Sequence, residues 1–153
     1  GTLKADLFII NSTEDSLKDT YGWITRIQNT LFDIGGAICT EDIDIFDEKA
    51  VVFLEEIIHE INQDLPPLRE FVLPGGSQLG AKAHVLRTVC RRVERSLVDL
   101  IENNSEHEKY RKSPVLPYIN RLSDFFFVLS RRLDRLCKLD EQTWETSKKR
   151  TTK

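Results

Sequence analysis

The chain has 153 residues, 40% of them apolar and 31% charged, a balance that suits one water-exposed domain with a real core. Its 22 lysines and arginines face 25 aspartates and glutamates, and the resulting charge of -3 excludes the broad basic surface of a general nucleic-acid binder. No run approaches the roughly 18 apolar residues of a membrane span, and Gly1 to Asp6 lack the regions of a signal peptide. The expectation is a soluble, cytoplasmic protein with neither membrane nor nucleic acid as partner.

Leu3 to Ile10 reads as the end of a helix that begins before Gly1. Leu17, Tyr21, Ile24, Ile27, Leu31 and Ile34 then recur at intervals of three and four, one apolar stripe on a helix of about five turns. Ser12 and Thr13 supply oxygens for its first-turn amides, and Gly35-Gly36 marks its expected end. A second stripe, Val51, Leu54, Ile57 or Ile58, and Ile61, stops before Pro66-Pro67 because proline cannot continue the ladder.

The third helix is expected after Pro74-Gly75-Gly76 with Ser77 as N-cap. It runs through Leu79, Leu86, Val89, Cys90, Val93, Leu97 and Leu100 to the polar Asn103-Asn104-Ser105. A fourth opens near Pro114, turns Leu122, Phe125, Phe126, Leu129, Leu133 and Leu136 inward, and precedes a basic, solvated tail from Lys148. Strand signals are weak throughout. Long helices on short to moderate loops predict an all-α antiparallel bundle, and residues 1–153 read as one domain.

The third helix carries the chemistry. His84, Arg87, Arg91, Glu94 and Arg95 share a face, with Arg92 beside it, so four arginines fall within nine residues. A solvated face or a salt-bridge ladder between subunits explains such a run; so does an anion site, because guanidinium forks match phosphate oxygens and stay charged. The two glycines upstream favour either an anion at the helix N-terminus or a tightly packed chain crossing. On the fourth helix Asn120 and Asp124 lie one turn apart beside Phe125-Phe126-Phe127. Three consecutive rings cannot all face one way, so at least one must meet a neighbour, a ligand or a partner.

Other chemistries are less well supported. Glu56-x-x-His59 has the spacing of a di-iron bundle motif, but the required second copy is absent, so His59 reads as a surface histidine. Cys39, Cys90 and Cys137 form no paired motif and read as packing residues.

Phe71-Val72-Leu73-Pro74-Gly75-Gly76, His84 with Arg87, Arg91-Arg92-Val93-Glu94-Arg95, and Asn120-Arg121-Leu122-Ser123-Asp124-Phe125-Phe126-Phe127 resemble, in order and spacing, the PduO-type ATP:cob(I)alamin adenosyltransferases. The likeness extends over about residues 20 to 147. It implies a ferritin-like, cobalamin adenosyltransferase-like bundle of about five helices. It also implies a homotrimer with sites between subunits, and transfer of the 5'-deoxyadenosyl group of ATP to cob(I)alamin, giving adenosylcobalamin and tripolyphosphate.

By that resemblance Arg91, Arg92, Glu94, Arg95 and Asn120 bind ATP, with Asn120 reaching the nucleotide or its magnesium ion. Phe71 is the wedge under the corrin ring, Phe127 lines the corrin pocket, and Arg91, Asn120 and Phe71 carry catalysis. Arg87 pairs with an early acidic residue. A reductase and an adenosylcobalamin-dependent enzyme are the expected partners, and a mitochondrial location follows if a leader has been removed. Relatives open with a Thr-Gly-Asp-Lys-Gly loop around the phosphates; no such stretch occurs here, so the N-terminal ATP-loop segment is expected to be missing from these residues. A non-catalytic interaction or nucleotide-sensing protein on the same fold is the alternative.

Overall fold

The computed structural model describes residues 3–4, 17–40, 46–103 and 108–146. Among them are four long helices and one single turn: α1 (Lys18–Thr40), α2 (Lys49–Asp64), α3 (Gln78–Asn103), α4 (Glu108–Arg111) and α5 (Val115–Leu136). The helical expectations over residues 5–16, including the start at Ser12 and Thr13, lie outside the described residues, as does the tail from Lys148.

α5 is the hub. Leu122, Phe125, Phe126, Leu129 and Leu133 are all buried, as their spacing predicts, and α5 packs most extensively against α3 and next against α2. Each such side chain taken from water contributes about 1.5–3 kcal/mol before entropy is counted. α1 joins through side chains: Ile24, Ile27 and Ile34 enter the same core, and Trp23 meets Phe125 edge-on at 6.5 Å between ring centroids. Arg26 lies over the Phe53 ring of α2 and Arg132 of α5 over Trp23, so two cations seal the edges of this packing.

Three expectations are corrected here. α1 does not end at Gly35-Gly36 but continues to Thr40. Both glycines face open space, and at about 1 kcal/mol each their cost is offset by the burial of Ala37 and the packing of Ile38 against the core just beyond them. Leu31 of α1 and Val93 and Leu100 of α3 are not core residues; they stand exposed, while on α3 Ala83, His84 and Ile101 are buried instead. Of the cysteines only Cys90 is buried, its thiol pushed up to about 11 mainly by desolvation, whereas Cys39 and Cys137 are exposed.

The α3 N-terminus forms as expected, with the Gly80 amide donating to Ser77 Oγ at 2.9 Å. The choice left open there, an anion or a tight chain crossing, is resolved as both in one: the anion is the protein's own Asp134. Its Oδ1 accepts from the Ser77 amide at 2.7 Å, from a position 57 residues away on α5. Gly76, at φ +86°, and Gly80 leave the space into which this carboxylate fits.

Residues 65–77 between α2 and α3 are also held from the other side. Beyond α5 the chain reverses at Lys138 (φ +55°) and returns antiparallel to this loop, pairing Val72 with Thr143. The Leu73 amide donates to Gln142 O and the Trp144 amide to Phe71 O, both at 2.7 Å.

Candidate functional site

The predicted residues fall into two neighbouring groups along α3. At its N-terminal half Phe71, Phe127, His84, Arg87, Thr88 and Asp124 line a pocket of about 350 Å³. Of the three consecutive phenylalanines, Phe125 and Phe126 are buried and Phe127 turns into this pocket, so the odd ring has an assignable place. Phe71 is 76% exposed at the rim. Arg87 lies 5.6 Å above the Phe127 ring centroid, a contact that fixes its guanidinium at the pocket wall. The early acidic partner expected for Arg87 is not among the described residues.

One turn further, about 6 Å along the axis, comes the guanidinium group. Glu94 is its centre: Arg91 meets Glu94 Oε2 as an ion pair without an aligned hydrogen bond, and Asn120 of α5 donates to Glu94 Oε1 at 2.8 Å. Glu94 therefore joins α3 to α5 and orients both Arg91 and Asn120. Arg92 and Arg95 are exposed and have no ion-pair partner among the described residues. Two of the three guanidiniums in this cluster thus have no ion-pair partner among the described residues, which leaves them available to an anion or to a neighbouring subunit.

The Asn120 amide nitrogen is spent on Glu94, which leaves the amide oxygen as its acceptor group. An amide oxygen is a hard donor of the kind a magnesium ion takes, whereas both oxygens of Glu94 are already engaged by Arg91 and Asn120. Of the two side chains, the Asn120 oxygen is the one whose chemistry fits that ion. Glu56 and His59, in contrast, are both exposed on α2, with His59 against Gln63 at 3.1 Å.

His84 is the buried titratable group of the pocket, 8% exposed. Desolvation lowers its pKa below 6.5, opposed by the Asp134 carboxylate and assisted by the Arg87 charge, so the imidazole is neutral at pH 7. The unfolded chain then binds more protons than the native one between the folded pKa and 6.5, and stability falls as the solution is acidified through that window. In His84→Gln this part of the acid sensitivity disappears, which urea denaturation at a series of pH values measures.

Four residues at or near the site escaped sequence reading. Asp134 and Arg131 sit in the regular charge pattern of α5, and Glu141 and Trp144 lie between α5 and the basic tail; nothing local distinguishes any of them.

With this geometry in place, the likeness to known proteins is specific. The family model for cobalamin adenosyltransferase matches residues 3–133. A cobalamin adenosyltransferase of Cupriavidus metallidurans is 36% identical over 143 residues, covering 94% of this chain and 75% of its own. A corrinoid adenosyltransferase of Bacillus subtilis is 37% identical, covering 89% of this chain and 69% of its own. Among solved structures, a phenylalanine-to-alanine variant of a PduO-type ATP:corrinoid adenosyltransferase from Lactobacillus reuteri, complexed with cobalamin and ATP, superposes with a TM-score of 0.72. It is 30% identical, and the match covers 95% of this chain and 81% of that one. The helical bundle, the ordered motifs and these similarities agree: the chain belongs to the cobalamin adenosyltransferase family, and its structural neighbours are of the PduO type.

Proposed function

We propose that this protein transfers the 5'-deoxyadenosyl group of ATP to cob(I)alamin, forming adenosylcobalamin and releasing tripolyphosphate. The observation that carries the reading is the adjacency on α3 of an aromatic-rimmed pocket and an arginine cluster held at Glu94, two of whose guanidiniums have no ion-pair partner among the described residues. Cobalt(I) is a strong nucleophile, so its lone pair attacks the 5' carbon; the cobalt–carbon bond forms as the carbon–oxygen bond to the triphosphate breaks. No protein base is needed. What remains for the protein is alignment and stabilisation of the leaving charge.

Arg91, Arg92 and Arg95 are assigned to the triphosphate, and Glu94 holds Arg91 and Asn120 in place. Asn120 is assigned to the nucleotide and its magnesium ion, which when bound neutralises phosphate charge. Phe71 and Phe127 take the corrin side. A phenyl ring offers cobalt no donor, so Phe71 in the lower axial position favours a cobalt without a lower ligand, which is easier to reduce. A homotrimer is part of the same reading, supported by the apolar side chains that α1 and α3 leave outward: Leu31, Phe32 (84% exposed), Val85, Val93 and Leu100. The reaction further requires a reductase to supply cob(I)alamin and an enzyme that consumes adenosylcobalamin; its proposed compartment is the cytoplasm.

Phe71→Ala separates the roles. It is expected to slow conversion that starts from cob(II)alamin and a reductant by about tenfold or more relative to conversion from pre-reduced cob(I)alamin. Equal losses in the two assays would remove Phe71 from the lower axial position.

A further inference from the structure

Phe71 is mostly exposed on a loop, so packing beneath it cannot hold its ring; whatever fixes that ring must act through the backbone and from the side. Both are supplied by the chain beyond α5. The backbone bonds Leu73 to Gln142 and Trp144 to Phe71 pin the residues on either side of Val72, and the Trp144 ring stands edge-on to Phe71 at 6.4 Å and 77°. An edge-to-face pair is directional and restricts both rings.

The returning chain is itself anchored at a single buried cation. Arg131 on α5 is 5% exposed, and its guanidinium is divided between two segments. Nη2 donates to Pro66 O, where the loop leaves α2, at 2.7 Å, while Nε and Nη2 donate to the two carboxylate oxygens of Glu141. Loop and tail are thus registered against the same rigid group on the central helix. A buried, bidentate arginine–carboxylate pair is geometrically exacting, so it fixes where Glu141, and with it Gln142 to Trp144, can lie.

We infer that Arg131 and Glu141 form a clasp which, through the paired tail and the Trp144 ring, sets the orientation of Phe71, making Arg131, Glu141 and Trp144 positioning residues for the corrin-side step. The chemical consequence rests on the adenosyltransferase reading; the clasp does not. None of the three touches the guanidinium cluster, so ATP binding is independent of them.

Two measurements on Glu141→Gln, Trp144→Ala and Trp144→Phe separate these levels. Amide hydrogen exchange reads the clasp: in Glu141→Gln the Leu73 and Trp144 amides exchange about tenfold faster or more, while amides of the α3 and α5 core are unchanged. Turnover reads the consequence: Trp144→Ala lowers the rate from cob(II)alamin relative to that from cob(I)alamin by about tenfold, with the KM for ATP unaltered, and Trp144→Phe restores the ratio. Unchanged exchange at Leu73 and Trp144 in Glu141→Gln overturns the clasp. Equal losses from the two corrinoids in Trp144→Ala overturn the positioning role. Faster exchange in a protein whose unsubstituted form turns over neither corrinoid upholds the clasp and defeats the adenosyltransferase reading instead.

Discussion

Arg91→Ala lowers turnover by about a hundredfold or more, the usual consequence of removing one preorganised donor from a developing negative charge. The loss appears in kcat more than in the KM for ATP, because the leaving triphosphate carries more charge than it does in bound ATP. Arg91 is half exposed and, among the described residues, is ion-paired with Glu94 alone, so the substitution leaves the core intact. It also frees Glu94, whose remaining tie to Asn120 keeps α3 and α5 joined. Steady-state kinetics beside a thermal melt checks this. Near-normal kcat in a folded Arg91→Ala protein would take Arg91 out of the site.

Gly80→Ala is expected to destabilise the protein, against the local rule. In an open helix the change stabilises by about 1 kcal/mol. Here an added Cβ would lie 2.2 Å from Asp134 Oδ1, and that carboxylate cannot simply swing aside, being 8% exposed and bonded to the Ser77 amide. Displacing it leaves a buried charge and a helix N-terminus without their partners, at a cost of about 2–4 kcal/mol that outweighs the propensity gain. Gly76→Ala meets the same carboxylate at 2.2 Å and adds backbone strain, because φ there is +86°. In an Asp134→Ala background Gly80→Ala should turn stabilising, since only the propensity remains. Urea midpoints of the four combinations decide it, and a stabilising Gly80→Ala with Asp134 present would contradict the packing.

The functional weight of that junction comes from what it positions. Asp134 fixes the first turn of α3, and α3 sets the register of His84, Arg87, Arg91, Glu94 and Arg95. The glycine loop thus serves the site by packing rather than by binding an anion from solution.

What could be read from the sequence follows the range of the interactions. Helix periodicity and N-capping are local, so the extents of α2 and α3, the Ser77 cap and the inner face of α5 were legible. Motif order was legible as well, and it led to the family. The stop placed at Gly35-Gly36 failed because tertiary packing of Ala37 and Ile38 outweighs a modest propensity cost. Val93 and Leu100 were misplaced because a helix with apolar residues on more than one side does not announce which side is covered. Asp134 and Arg131 act on partners 57 and 65 positions away, and no spacing rule reports such a distance. Phe71 was recognisable from its motif, but the Trp144 ring beside it lies beyond α5 in a short stretch without helical periodicity.

Adenosyl transfer itself is the most direct measurement. The protein is mixed anaerobically with ATP, magnesium and chemically reduced cobalamin, and the corrinoid absorption is followed in the dark. A time-dependent replacement of the cob(I)alamin spectrum by that of adenosylcobalamin, with tripolyphosphate released in equal amount, is the predicted result. A folded protein, verified by circular dichroism, that leaves the cob(I)alamin spectrum unchanged would contradict the account.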